Sequence, residues 1–142
     1  MRVRRRRHRL QLNDRGSAAL EMAFVAPVFL LLVFFGIQVG LWAYGRSVAL
    51  AAAREGVAQL RVVPDPQVAA QADPVVRRHV EQFATTIGRE SLLDPRAVTA
   101  WSADQSSVTV TVTGHVISLV PGLDLSTTQH AAGTLERFGS AR

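Results

Sequence analysis

The sequence predicts an α+β fold: a long N-terminal transmembrane helix that extends outward, then a second helix, then a small antiparallel β-sheet. Three observations lead there. An uncharged run of 24 residues, Met22 to Gly45, follows a basic N-terminal stretch. Apolar residues then recur at helical spacing until Pro64-Asp65-Pro66. From Val108 onward, valines alternate with threonines as in a half-buried strand.

The chain of 142 residues has room for one modest domain plus a membrane segment. The expected division is a basic cytoplasmic leader over 1–16, a transmembrane and extended helix over 17–63, and a small extracytoplasmic α+β domain over 64–142. The net charge of +5 is unevenly placed. Residues 1–16 hold seven Arg against the single acid Asp14, whereas the rest of the chain holds nine Arg against ten acids. All the basicity therefore belongs to the tail. Arg clusters of this kind can bind nucleic acid, but no aromatic residue interleaves with them and an apolar span follows directly. A topology signal with affinity for anionic lipid explains the same residues, so no nucleic-acid partner is expected.

As a helix, Met22 to Gly45 reaches about 36 Å, enough for a hydrocarbon core of about 30 Å. Gln38 is its only strongly polar side chain, and Trp42 and Tyr44 stand at the far end, where amphipathic rings favour the interface. The Arg tail should keep the N-terminus cytoplasmic and place the C-terminal part outside, in a single-pass cell-membrane topology. A conventional signal peptide is the rival, but its apolar region would be about 7–15 residues and would end in a small-residue cleavage site. Ala49-Leu50-Ala51 fits such a site only loosely and lies beyond Arg46. Pro27 should kink the span, which neighbouring helices tolerate. Gly36 and Gly40 form a GxxxG step that permits close helix packing.

The helix should continue to Val63, about 70 Å from Ser17. Leu50, Ala53, Val57 and Leu60 form a stripe on its outer half that calls for a partner. A second helix is expected near Asp73-Pro74, with Asp73 as N-cap, a stripe of Val76, Val80, Phe83 and Ile87, and Gly88 as C-cap. Strands are expected over 97–103, with Val98, Ala100 and Trp101 as candidates for the core, from Val108 through Thr113 toward Leu119 with Gly114 as a bulge or twist point, and over 127–135. Asp94-Pro95 reads as a turn.

No enzymatic site is expected. His8, His79, His115 and His130 lack metal-ligand spacing, there is no Cys, and no nucleophile, Walker or dinucleotide fingerprint occurs. No cofactor and no metal are therefore expected. What remains is Glu21, a carboxylate at the start of the apolar run, five residues after Gly16. A charge at membrane depth is costly and marks function by default. A cut between Gly16 and Ser17 would create an α-amine at Ser17 that a neighbouring subunit could present to Glu21.

Arg15-Gly16-Ser17-Ala18-Ala19-Leu20-Glu21-Met22-Ala23-Phe24, followed by Ala26-Pro27 and an apolar run, resembles the TadE-like family of tight-adherence (Flp-type) pilus proteins. Ala52-Ala53-Arg54-Glu55-Gly56 also resembles that family's AAREG stretch, and the resemblance is most specific over residues 15–61. It implies a minor pilin, pseudopilin or pilus assembly protein. Its partners would be the membrane, a prepilin peptidase, other pilins or TadE/TadG-like subunits, and the pilus assembly platform. Carried over, the cut falls between Gly16 and Ser17, and Glu21 becomes the fifth residue of the mature chain; with the Pro27 kink and the Gly36–Gly40 step it makes up the set expected to serve assembly. Such junctions often have Phe or Tyr after the Glu; here Met22 follows, with Phe24 two further on. The alternative is an uncleaved, single-pass, membrane-anchored extracytoplasmic binding domain.

Overall fold

In the computed structural model, which describes residues 14–63 and 65–135, helix α1 runs from Asp14 to Arg61 without interruption at Pro27. The chain divides after Phe35 into two compact units. In the first, every side chain from Ala18 to Phe35 is exposed, large apolar ones such as Phe24, Leu31 and Phe35 included. A helix that is apolar all round and uncovered suits lipid rather than a protein core.

The second unit, from Gly36 onward, holds the outer half of α1, helix α2 (Pro66–Gly88) and a meander of three antiparallel strands in the order β1-β2-β3. These strands are β1 (Leu92–Trp101), β2 (Ser107–Val116) and β3 (Leu125–Thr134). The expected α+β class is thus observed. Alternation in β2 puts Val108, Val110, Val112 and Val116 on the buried face and Thr109, Thr111 and Thr113 on the other. Val48, Ala49, Ala52, Ala53, Val57 and Leu60 of α1 meet that valine row together with Val76, Val80 and Ala84 of α2.

The α1 stripe therefore has its partner within the chain. A Cβ on Gly56 would lie 2.7 Å from Val80 Cγ2 and 3.1 Å from Val110 Cγ1. Small residues on this face let two helices and a sheet share one thin core. Leu50, expected in the stripe, lies at its edge, half-buried, and Val48, Ala49 and Ala52 take the face instead.

Several boundaries differ from expectation for definable reasons. Helix α2 begins at Pro66, not near Pro74. Asp65 is the N-cap, its carboxylate accepting from Gln67 N–H at 2.8 Å. Asp65-Pro66 offers the same cap signature as Asp73-Pro74, one apolar patch earlier. Pro74 is tolerated inside the helix because the carbonyl it deprives, that of Ala70, belongs to an exposed residue that water can serve. Asp73 instead accepts from Thr99 Oγ1 and pairs with Arg77 at 3.1 Å, tying α2 to β1. At the far end Arg89, not Gly88, takes the positive φ (47°) and caps the helix, its N–H donating to the Thr85 carbonyl. Gly88 is small because a Cβ there would meet Leu92 Cβ at 3.1 Å and Val48 Cγ1 at 3.2 Å.

Strand β1 starts at Leu92 and carries Asp94-Pro95 within it as a bulge, with Asp94 at φ 48°. The register passes from Leu93↔His115 to Arg96↔Thr113, so two residues of β1 oppose Gly114. The bulge lies across from Gly114 rather than at it; a Cβ on Gly114 would stand 2.7 Å from Leu92 Cδ1. The bulge also sets which β1 side chains point inward. Ala97 is buried, while Val98 and Ala100 lie on the open face, opposite to expectation.

Candidate functional site

Gly16 and Ser17 fall in the opening turns of α1; the basic residues before Asp14 lie outside the described residues. Glu21 is exposed, one helical turn beyond Ser17. Pro27 lies inside the same helix. Gly36 and Gly40 share one face by their four-residue spacing, and a Cβ on either would meet nothing within 4 Å. The chain's own fold thus leaves the GxxxG step unfilled, whereas Gly45 and Gly56 further along are in tight contact with it.

Sequence reasoning singled out Gln38 only as a polar residue in an apolar run. The structure shows what it does. Its Nε2 donates to the Ile117 carbonyl at 3.1 Å, and its Oε1 accepts from Leu119 N–H at 2.7 Å. One amide thereby holds the β2–β3 loop against α1. The signal available in the sequence was the cost of a lone amide in an apolar span, which demands a partner. Nearby, Tyr44 Oη donates to the Ile87 carbonyl at 3.2 Å, and the Arg46 guanidinium stands 5.7 Å from the centre of the Trp42 ring. These residues form a belt at the end of the apolar run.

Among the described residues the histidines do not cluster with one another. Nδ1 of His79 is 2.6 Å from Gln59 Nε2, and His115 pairs with the exposed Asp124 at 2.8 Å. His130 lies on the open face of β3, and His8 falls outside the described residues. Among the described residues no group of three His, Cys, Asp or Glu could hold a metal. A shallow groove of about 440 Å³ between α2 and β1 is lined by Arg78, Glu81, Asp94 and Arg96 among others. Its charges are of both signs, and Glu81 is engaged in accepting from Ala97 N–H at 3.0 Å. In the β1–β2 turn, hydrogen bonds from Ser106 and then Ser102 hold the Asp104 carboxyl well below the usual carboxylate range.

Together these features suggest a membrane-anchored chain. An apolar helix long enough to cross a membrane is joined in one chain to a small α+β unit, which suggests single-pass anchoring. Residues 16–58 match the family model of TadE-like protein, the family that the Gly16–Glu21 junction resembles. That match covers Gly16–Glu21, the apolar run and the AAREG stretch, and suggests a minor-pilin-like role connected with the Tad pilus. No curated protein and no solved structure matches the chain.

Proposed function

We propose that this chain is a non-enzymatic TadE-like minor pilin, pseudopilin or pilus assembly protein, cut after Gly16 by a prepilin peptidase and assembled through its N-terminal helix. The observation that carries the reading is the family match beginning at Gly16, with Glu21 exposed at the head of an apolar helix whose Gly36–Gly40 face is unfilled. The N-terminal side is cytoplasmic and residues beyond the span are extracytoplasmic, as the seven Arg of residues 1–16 favour. After cleavage the Ser17 amine of one subunit pairs with Glu21 of its neighbour. At membrane depth that pair is weakly screened, and it sets axial register. The Gly36–Gly40 face gives the neighbour's helix close approach. The buried stripe on the outer half of α1 is not free for assembly, because the chain's own sheet and α2 cover it.

Two substitutions separate this reading from an uncleaved anchored binding domain. Gly16→Leu should leave the precursor uncut. Glu21→Ala should be cut and inserted normally but lose about tenfold in co-purification with neighbouring pilins, for a pair worth about 1.4 kcal/mol. Normal co-purification of both variants would refute assembly through the N-terminal helix.

A further inference from the structure

The β2–β3 loop carries an apolar cluster that the fold leaves uncovered. Ile117, Leu119, Val120 and Leu123 are 36%, 44%, 53% and 45% exposed. The segment from Ile117 to Leu123 contains no charged residue. We propose that this loop is a second membrane contact, which inserts beside α1 into the outer boundary of the bilayer and fixes the α+β unit against the lipid surface. The inference rests on the membrane reading of α1 and goes beyond it, since a single-pass anchor alone would leave the outer unit free of the bilayer.

Its position carries the argument. Gln38 grips the loop through two hydrogen bonds, and Gln38 belongs to the uncharged run that ends at Gly45. Seven residues of helix separate the two, a rise of about 10 Å. A bilayer that takes the run as far as Trp42 and Tyr44 therefore reaches the loop as well. Polar satisfaction fits the same place. Besides the two bonds to Gln38, Val120 N–H donates to Ser118 Oγ at 3.1 Å and Leu123 N–H donates to the Val120 carbonyl at 3.2 Å. Pro121 has no N–H, and Gly122 at φ 81° closes the turn that puts Val120 and Leu123 side by side. Backbone so paired loses less on leaving water.

Charges frame the cluster. Arg46 over Trp42 and the His115–Asp124 pair at the base of the loop suit the headgroup layer. A neighbouring helix is the competing occupant, but Gly36 and Gly40 each lie two residues from Gln38, about 200° around the helix. The close-packing face and the loop thus occupy different sides of α1, and lipid remains for the loop.

The absence of Cys allows clean single labels on the full chain. Spin labels at Val120→Cys, Leu31→Cys and His130→Cys, all exposed positions, are placed in nanodiscs of phosphatidylcholine and phosphatidylglycerol. Collision with oxygen and with a water-soluble nickel chelate reports depth. Expected is an oxygen-favoured label at Val120 and Leu31 and a nickel-favoured one at His130, with nickel access at Val120 rising several-fold in a Gln38→Leu background. A nickel-favoured Val120 beside an oxygen-favoured Leu31 overturns the loop contact alone. A nickel-favoured Leu31 overturns the membrane reading and the inference with it. A Val120 label shielded from both reagents and broadened by a second label assigns the loop to a protein neighbour and overturns the proposal.

Discussion

The two parts of α1 on either side of Gly36 make opposite choices of residue. Before it, Leu, Phe and Val stand exposed on every side. After it, Gly45, Ala49, Ala52, Ala53 and Gly56 alternate with Val48, Val57 and Leu60 on one buried face, while Arg46 and Arg54 remain outside. Lipid offers no penalty for apolar surface and rewards bulk, so the first part is large and unpatterned. A thin protein core needs backbones close together, so the second part is small and periodic. One continuous helix thus changes its surroundings without changing its backbone.

That contrast predicts where substitutions matter. Leu60 is fully buried, and Leu60→Ala should cost about 2–5 kcal/mol of stability in the α+β unit, whereas Leu31→Ala, 69% exposed, should leave its unfolding midpoint unchanged. Denaturant titration in detergent, followed by Trp101 fluorescence in a Trp42→Phe background, reads both. A comparable loss at Leu31 would break the distinction. Next comes Gly56→Leu, which forces side-chain bulk into Val80 and Val110 and should cost about 1–3 kcal/mol by overpacking. Gly36→Leu meets open space, so it should spare the fold and weaken only association between helices. Gln38→Leu leaves Ile117 O and Leu119 N–H unpaired at a cost of about 1–3 kcal/mol, visible as faster amide exchange confined to the β2–β3 loop.

The smallest effect is expected at Asp104. Hydrogen bonds from Ser106 and Ser102 depress its pKa in the folded chain, so its contribution is present above the usual carboxylate value and is lost as pH falls through the depressed one. Asp104→Asn should therefore lower stability slightly at neutral pH, match the parent chain below the depressed pKa, and so flatten the acid side of the stability profile. A loss at neutral pH matching that of Gly56→Leu would show that the turn is more than a local cap.

Much of this was legible in the residues. The apolar run, the Val108–Val112 alternation and the Gly16–Glu21 junction each declare themselves through a strong local pattern. The rest depended on tertiary choices. Two Asp-Pro pairs carry the same cap signal, and only the packing of Ala69 on the core and the Asp73–Thr99 bond decide for Asp65. The face of β1 turned on a bulge at Asp94-Pro95, which reads locally as a turn and shows as a bulge only once the strand is paired with β2. The stripe on α1 announced that it needed a partner, but not that the valine row of the sheet would share in covering it. Gln38 was visible as an anomaly; its loop, nearly eighty residues away, was not.

The central claim is that residues 1–16 are removed to make a pilin-type helix beginning at Ser17. The most direct test is the identity of the terminal peptide of the protein recovered from native membranes, read by mass spectrometry. The account predicts a chain beginning Ser17-Ala18-Ala19-Leu20-Glu21. An intact terminus still carrying the Arg tail, in cells with a competent prepilin peptidase, would contradict it and remove the amine that Glu21 is proposed to bind.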